Sequence, residues 1–260
     1  METFTLKKVR ISLIINSLAL FLIFGILISC GDQKGFYLHP NGATIMCPYS
    51  EPGETGFIDG VEYESVKEEL LKMRRDEGKN LRYVCTSLVT NMSELFKKSS
   101  LNHDIGNWDV SNVMDMSDMF LFSDFTHDIS NWDVSNVTDM SGMFALSSFT
   151  KPIGNWDVSN VRNMSNMFNE TSFNQPIGDW DVSNVTDMSM MFMNSLLFNQ
   201  PIVDWDVSNV TNMSAMFMNS SFIHDISSWC VRKIDREPML FAFDSRLTEE
   251  NKPVWGTCPD

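Results

Sequence analysis

Large apolar residues return at a fixed interval over most of the chain, with polar residues between them. Six tryptophans keep this interval in steps of 24, 24, 24, 25 and 24 residues: Trp108, Trp132, Trp156, Trp180, Trp205 and Trp229. Phenylalanines have the same spacing at Phe96, Phe120, Phe144, Phe168, Phe192 and Phe217, and Phe241 continues it. Periods of about 20 to 50 residues are typical of solenoids, in which each unit buries its apolar face against its neighbours. The pattern predicts a repeat solenoid over residues 89–229 with these aromatic residues in its core.

Two shorter spacings inside each repeat predict a helix and a strand. Met140, Met143 and Phe144 follow the i, i+3, i+4 pattern of one helix face. The residue before the first methionine is always Asp or Asn, which favour helix N-caps: Asn91, Asp115, Asp139, Asn163, Asp187 and Asn212. Upstream, β-branched Val134 and Val137 favour an extended segment. We expect an α/β solenoid whose coils contain a short strand, a turn and a helix of about two turns, with the strands pairing in parallel.

The chain ends do not follow the repeat, and a solenoid needs caps because its core is exposed at both ends. Residues 36–88 carry two turn signals, Pro40-Asn41-Gly42 and Asp59-Gly60, between strand-like runs. A charged amphipathic stretch follows from Ser65 to Glu77. We therefore predict a small α+β N-terminal cap over 36–88 and a C-terminal cap over 230–260.

The N-terminus has the pattern of a secretory signal. Lys7, Lys8 and Arg10 precede an apolar run from Ile11 to Ile28. The next motif, Leu27-Ile28-Ser29-Cys30, resembles a bacterial lipobox, which implies cleavage before Cys30 and a lipid on its thiol. Residues 1–29 would then be a signal peptide and 30–35 a tether. The alternative is a transmembrane anchor, because the apolar run just reaches spanning length. Either interpretation places residues 31–260 outside the cytoplasm.

The other four cysteines are confined to the two caps. Cys47 and Cys85 lie in the N-terminal cap, and Cys230 and Cys258 lie in the C-terminal cap. An even number in an exported protein indicates disulfides, and proximity favours Cys47–Cys85 and Cys230–Cys258. A zinc site built from the same four residues is the alternative, although they are spread over both ends of the solenoid.

The repeat resembles that of the BspA-like surface lipoproteins, which are related to leucine-rich-repeat proteins and occur in mycoplasmas, firmicutes and Bacteroidetes. The resemblance rests on residues 173–192, Phe-Asn-Gln-Pro-Ile-Gly-Asp-Trp-Asp-Val-Ser-Asn-Val-Thr-Asp-Met-Ser-Met-Met-Phe, and their copies over about 89–229. It implies leucine-rich-repeat-like coils, a cell-surface or outer-membrane location, and adhesion or protein binding. The chain differs from ordinary leucine-rich repeats in using Met, Phe and Trp where those use Leu.

Charge and motifs narrow the function. The chain has 34 acidic and 19 basic residues, a net charge of −15, and loss of residues 1–29 would leave −17. That balance argues against nucleic-acid binding, which needs clustered Lys and Arg. The sequence has no Gly-rich phosphate loop, no His-Glu-x-x-His and no Gly-x-Ser-x-Gly. We therefore expect no catalysis and no cofactor, and a monomer. An enzyme site in the N-terminal cap, around His39, is a weaker alternative that requires a cleft there.

Stacked repeats would align polar residues into columns. The aspartates are Asp109, Asp133, Asp157, Asp181 and Asp206, and the asparagines are Asn112, Asn136, Asn160, Asn184 and Asn209. The asparagines are expected to bond the backbone of a neighbouring coil. The aspartates either accept backbone amides at the bend or hold Ca²⁺. His103, His127 and His224 share one repeat position and suggest a metal, but Lys151, Gln175 and Gln200 stand there in other repeats. The methionine columns favour core packing over a copper site.

One part of the repeat varies from copy to copy. The residues just after each phenylalanine are Leu121-Phe122-Ser123, Ala145-Leu146-Ser147, Asn169-Glu170-Thr171 and Met193-Asn194-Ser195. We expect them to lie together along one edge and to contact an unknown protein or surface ligand. The leading interpretation is a lipid-anchored surface binding or adhesion module. The alternatives are an envelope spacer without a ligand and a binding lipoprotein that faces the periplasm.

Overall fold

The computed structural model describes residues 35–259. The expected signal peptide, the lipid-anchored Cys30 and nearly all of the tether lie outside the described residues. Among residues 35–259, no helix is long and apolar enough to cross a membrane.

The N-terminal region contains the regular secondary structure that precedes the repeats. In chain order its elements are β1 (Tyr37–Leu38), β2 (Ile45–Met46), β3 (Thr55–Ile58), β4 (Val61–Ser65), α1 (Glu68–Asp76), a 3-10 turn (Leu81–Tyr83) and β5 (Val84–Cys85). β1 pairs with β2 antiparallel. β3 pairs with β4 antiparallel, and β5 adds to β4 in parallel. The Asp59-Gly60 signal lies at the β3–β4 reversal, where both residues have positive φ, as a tight hairpin turn requires.

Helix α1 connects this region to the first repeat. A carboxylate oxygen of Glu68 accepts the Thr90 amide at 2.8 Å and the Thr90 hydroxyl at 2.9 Å. Burial by itself would raise the pKa of Glu68, but these hydrogen bonds outweigh it and the pKa is lowered. The Arg75 guanidinium donates to the carbonyl of Leu95 at 2.6 Å. The helix thus satisfies polar groups at the outer edge of the first repeat.

The repeats are built from turns in place of the expected helices. We call the eight residues that begin at the first methionine of each repeat the turn segment: 92–99, 116–123, 140–147, 164–171, 188–195 and 213–220. In the last copy, 238–245, Pro238 takes the place of that methionine. In segment 116–123 the amides of Met119, Leu121 and Ser123 donate three residues back, at 3.1–3.2 Å. The amides of the residues between them donate to carbonyls of the next repeat, and Phe120 for example reaches Met143 at 2.9 Å. Backbone donors and acceptors are therefore shared between local turns and the neighbouring repeat.

Backbone torsions explain why no helix forms. The third and seventh residues of each turn segment have positive φ, as at Asp118 (55°) and Phe122 (57°). A right-handed helix needs negative φ throughout. Among the described residues after Cys85, helix is assigned only at Glu249–Asn251, a 3-10 turn near the C-terminus. The expected strand around Val134 is also absent there. Parallel pairing is limited to single bridges in the Asn/Asp column, such as Asp115 with Asp139.

The core consists of side-chain columns that run from repeat to repeat. None of the twelve aromatic residues singled out above is more than 4% exposed. Phe96 and Phe120 stack with ring centres 5.5 Å apart and planes within 4°. From Trp132 to Trp229 each indole N–H donates to an isoleucine carbonyl one repeat back, as Trp132 does to Ile105 at 3.2 Å, whereas Trp108 donates to Leu81 of the N-terminal region at 2.9 Å. Since Trp and Phe bury large areas, these columns provide most of the contact between repeats.

The last turn segment is displaced by one residue from the sequence period. The Phe217 amide donates to the carbonyl of Phe241, so Ala242 takes the phenylalanine position and Phe241 takes that of Met216. Phe241 is buried, but it packs edge-on against Phe217 and Trp255, with interplanar angles of 88° and 82°. The phenylalanine stack ends here, although the 24-residue spacing continues in the sequence.

Both predicted cysteine pairs are present as disulfides, Cys47–Cys85 and Cys230–Cys258. Cys47 and Cys85 are fully buried beside Ile45. We call the five residues that begin at each tryptophan, such as 156–160, the bend. Cys230–Cys258 fastens the final residues over the last bend, where the Val231 amide donates to the Thr257 carbonyl at 2.8 Å. The two bonds therefore lie at opposite ends of the repeats.

Candidate binding surface

The aspartate and asparagine columns are part of the framework. Each aspartate accepts the amide of the serine two residues on, as Asp157 does from Ser159 at 3.0 Å. Each asparagine donates to a serine carbonyl of the preceding repeat, as Asn160 does to Ser135 at 2.7 Å. The predicted backbone role of the asparagines is confirmed, as is the bend role of the aspartates. Both side chains satisfy backbone groups that the bend would otherwise leave unpaired.

At Asp181 these hydrogen bonds also affect the ionisation of the carboxyl group. The hydroxyl of Ser183, with its backbone amide, lowers the pKa of Asp181. A hydrogen bond to a carboxylate favours the charged form. The charged aspartate is therefore the form that suits the bend.

The histidine position has the same backbone role. His127 and His224 place Nε2 at 2.9 and 3.0 Å from carbonyls of Asn102 and Asn199 in the preceding repeat. Gln175 donates to the Thr150 carbonyl in the same manner at 3.0 Å. In these repeats His and Gln can replace one another because both offer an N–H at the required reach. Within residues 35–259, no three His, Cys, Asp or Glu side chains are grouped so as to hold a metal ion.

The capping residues before each turn segment form a further column. The Oδ1 atom of Asp139 accepts the Ser141 amide at 2.8 Å, and its Oδ2 accepts from the Asn163 side chain at 3.2 Å. The expected N-cap hydrogen bond thus exists, but it stabilises a turn instead of a helix.

The variable triplets after each phenylalanine lie next to one another. The amide of Phe122 donates to Ala145 at 2.8 Å, and the amide of Leu146 donates to Asn169 at 2.8 Å. The sequence predicts that all three residues of each triplet lie on the exposed edge, and for the third residue this prediction is wrong. It is buried under the chain in all four repeats: Ser123, Ser147, Thr171 and Ser195. A small hydroxyl residue fits there because the chain then turns inward to the next buried phenylalanine.

The exposed side chains of the turn segments form a surface that we call the turn face. It comprises the side chains at the second, third, sixth and seventh positions wherever these are not buried, because the first, fourth and fifth positions point into the core. At its N-terminal end it is charged, and Lys97 pairs with both Glu94 and Asp118. Further along, Phe122 is 60% exposed beside the half-exposed Leu146. A shallow depression of about 280 Å³ follows there, lined by Leu121, Gly142 and Asn169 among others.

The C-terminal end of the turn face is apolar and rich in methionine. Met190, Met193 and Met218 are half-buried at the third and sixth positions. In the last segment, Met239, Leu240 and Phe243 are 75%, 42% and 54% exposed. Sequence analysis had assigned these last three residues to the C-terminal cap. The sequence does contain a signal for a further turn segment, Pro238-Met239-Leu240-Phe241-Ala242. In this copy Phe241 keeps the 24-residue spacing, but the backbone pairing is shifted by one residue.

The single 25-residue step lies next to this apolar end. The extra residue falls between Phe192 and Phe198, where other repeats have four residues between the two phenylalanines and this one has five. Leu196 and Leu197 bulge outward there, 59% and 56% exposed. Exposed apolar residues that lie together indicate a contact surface more often than isolated ones do.

The N-terminal region does contain a cleft, as an enzyme site there would require. Its volume is about 480 Å³, and Glu64, Arg74, Glu77, Lys79 and Tyr83 are among its lining residues. The Arg74 guanidinium binds both Glu64 and Glu77. Hydrogen bonds from Arg74 to these two carboxylates raise its pKa further above the ordinary value. His39 is not in this cleft but lines a separate depression beside Trp108 and Asp109. The cleft therefore has ion-paired carboxylates but no histidine.

Comparison with known proteins identifies the repeat. A family model described as "Mycoplasma protein of unknown function, DUF285" matches residues 65–171 and again residues 145–253. The two matches together span well over half of the chain. No curated protein and no solved structure matches the chain. The resemblance to mycoplasma repeat proteins is thereby supported, whereas the BspA-like assignment stays a prediction. The chain belongs to the DUF285 family of mycoplasma proteins.

Proposed function

We propose that this chain is a non-catalytic binding protein of the cell surface, a lipid-anchored solenoid that contacts a protein partner through its turn face. The observation that carries the proposal is that the polar side chains of the bend are used by the framework of the repeat, whereas the side chains of the turn face are not. Bend side chains such as Asp157 and Asn160 are occupied by backbone hydrogen bonds. Turn-face side chains such as Phe122 and Met239 point to solvent.

The chemistry of the turn face supports a protein as the partner. Its C-terminal end combines methionines with Leu240 and Phe243, and methionine adapts its shape to varied apolar surfaces. Protein interfaces are enriched in Met and Phe and depleted of charge at their centre. The charged N-terminal end, with Lys97 and its carboxylate partners, would form a polar rim.

Export and lipid anchoring complete the proposal. The basic start, the apolar run and Leu27-Ile28-Ser29-Cys30 support a lipoprotein that is held in the membrane through Cys30. Two disulfides are consistent with an oxidising compartment.

Protease treatment of intact cells tests location and anchoring together. We expect added protease to remove the repeats from wild-type cells, and the Cys30→Ala variant to lose membrane attachment. Protection in intact cells combined with digestion after lysis would overturn the surface location and leave a periplasmic partner. Membrane attachment that survives Cys30→Ala would favour the transmembrane anchor over the lipid.

A spacer without a ligand is the second candidate, favoured by the acidic surface with its net charge of −15. The two candidates differ in saturable binding. A binding protein predicts that labelled protein saturates a limited number of sites on target cells, and that replacing Phe122 and Met239 with Ser reduces this binding. A spacer predicts neither result.

A further inference from the structure

The two ends of the stack of turn segments differ in the backbone groups that they present. Within the turn segments, the amides that cross a repeat boundary donate toward the C-terminal neighbour, and the carbonyls that accept them face the N-terminal one. The last boundary shows this: the amides of Ala215, Phe217 and Asn219 donate to the carbonyls of Met239, Phe241 and Phe243 at 2.8–2.9 Å. The stack therefore ends in carbonyls at one end and in amides at the other.

The carbonyl end is covered by the N-terminal region. Arg75 of α1 donates to the Leu95 carbonyl at 2.6 Å, and Leu95 is in the first turn segment. Glu68 holds the adjoining Thr90. The central carbonyl of this edge is therefore already occupied by a side chain of α1.

The amide end is left open. The amides of Leu240, Ala242 and Asp244 correspond to the three that donate across the last boundary, and none of them has a hydrogen-bond partner among residues 35–259. The cover formed by the C-terminal residues lies elsewhere: Asn251 and Thr257 accept the amides of Ile226 and Val231, on the side of the tryptophans. Pro238 removes one further donor at the start of the row, so three amides remain.

Apolar surface adjoins these amides. A depression of about 420 Å³ is lined by Pro238, Leu240, Phe241, Ala242 and Phe243, with Lys252 at its border. Lys252 binds Glu237 and Glu249, the two carboxylates that also line it. The charges are thus paired with each other, and the apolar side chains are left for contact with a partner.

We propose that this outer edge, residues 238–244, binds a polypeptide segment of a partner protein, which adds a further turn segment to the stack. The partner's backbone carbonyls would accept from Leu240, Ala242 and Asp244, and its apolar side chains would cover Leu240 and Phe243. The inference rests on the proposed protein-binding function and specifies where and how binding occurs. Its precedent is internal, because each preceding edge of the same form is filled by the carbonyls of the following repeat.

The chemistry of the edge disfavours a second copy of this chain. A two-fold pairing of outer edges would place amides against amides, with no acceptors. A head-to-tail pairing would need the carbonyls of the first turn segment, where Arg75 already occupies Leu95. Peptides added to an open backbone edge are a general mode of recognition, with main-chain hydrogen bonds for affinity and side-chain contacts for specificity.

The test uses a synthetic 24-residue peptide with the sequence of residues 139–162, a complete repeat, as the probe. We expect saturable NMR shifts of the amides in residues 238–244, and slower hydrogen exchange at Leu240, Ala242 and Asp244. Ala242→Pro deletes the central donor without removing any hydrogen bond inside the chain, and should weaken binding at least tenfold. Phe243→Ser removes an apolar contact without touching the backbone and should weaken binding several-fold. Phe57→Ser, an equally conspicuous exposed phenylalanine in the N-terminal region, should bind like the wild type.

Several results would overturn the inference. These are unshifted amides at millimolar peptide, wild-type affinity in both Ala242→Pro and Phe243→Ser, protection of the three amides by inorganic phosphate without peptide binding, or protection by self-association seen in sedimentation. If the edge fails but Phe122, which lies outside residues 238–244, is still needed for binding to cells, the inference falls and the proposed function stands. Failure of both experiments would remove the proposed function as well.

Discussion

The bend and the turn segment of the same repeat solve one backbone problem in two ways. In the bend, side chains satisfy the backbone: Asp157 accepts an amide and Asn160 donates to a carbonyl. In the turn segment, backbone groups satisfy each other, within the turn and across the boundary to the next repeat. The bend sequence is consequently almost constant between copies, whereas exposed positions of the turn segment are free to differ. Variation between copies thus identifies side chains that the framework does not use.

The largest expected difference between the two regions concerns the tryptophan at the start of each bend. Trp156→Ala should lower the free energy of unfolding by about 3–5 kcal/mol, because it removes a buried ring and the donor to the Ile129 carbonyl. Glu170→Ala on the turn face should change it by less than about 0.5 kcal/mol. Urea unfolding followed by tryptophan fluorescence and circular dichroism measures both. Equal losses of unfolding free energy in the two variants would contradict the conclusion that the bend, and not the turn face, holds the repeats together.

A pair of asparagines sharpens the comparison. Asn209→Ala should cost about 1 kcal/mol, because the Ser183 carbonyl loses its donor at 2.7 Å. Asn169→Ala should be close to neutral, since its buried Oδ1 has no partner and the preceding repeat already has Ala145 at this position. Urea midpoints of the two variants should therefore differ, with Asn209→Ala the lower.

The positive φ angles of the turn segment restrict which residues can occupy its third and seventh positions without strain. Met190 has φ of 56°, where a non-glycine residue is strained by roughly 1–2 kcal/mol. Met190→Gly should relieve this strain, and after the entropy of the unfolded glycine the protein should gain about 0.5 kcal/mol. Gly142→Ala should have the opposite sign, because φ is 61° and the new Cβ would crowd the Asp118 carboxylate. Thermal unfolding distinguishes the two signs, and two shifts in the same direction would contradict the role of φ.

The smallest effect concerns protonation in the bend. Because hydrogen bonds from Ser183 lower the pKa of Asp181 in the folded state, its contribution to stability is complete above the unfolded value of about 3.9. That contribution is lost as the pH falls through the lowered folded pKa. Ser183→Ala should move the Asp181 pKa up toward its ordinary value in a carbon-detected NMR titration. Ser165→Ala, in a turn segment, should leave it unchanged.

The sequence predicted some features of the molecule and not others, for physical reasons. The Asp and Asn columns were predictable because a short polar side chain at a tight bend has few partners besides the backbone. The turn segments were mistaken for helices because Met140, Met143 and Phe144 share one side in either conformation. Glycine at the positions of positive φ would have indicated turns in the sequence. Phe122 and Leu146 occupy two of these positions instead, although their backbone is strained there.

The candidate surface was predicted only in outline. Triplets such as Leu121-Phe122-Ser123 do lie side by side along one edge, but burial of the third residue depends on how the chain turns into the next repeat. The open edge at residues 238–244 could not be recognised, because Phe241 keeps the sequence period while the hydrogen bonds shift by one residue. Register is a property of backbone pairing, and spacing alone does not reveal it.

In the proposed function the turn face contacts a partner while the bend side holds the repeats together. The most direct test is photo-cross-linking on intact cells, with a benzophenone amino acid at Met218 on the turn face or at exposed Asp179 near the bend. We expect a discrete cross-linked protein from position 218, competed by unlabelled protein, and none from position 179. Equal cross-linking from both positions, or none from position 218, would contradict it.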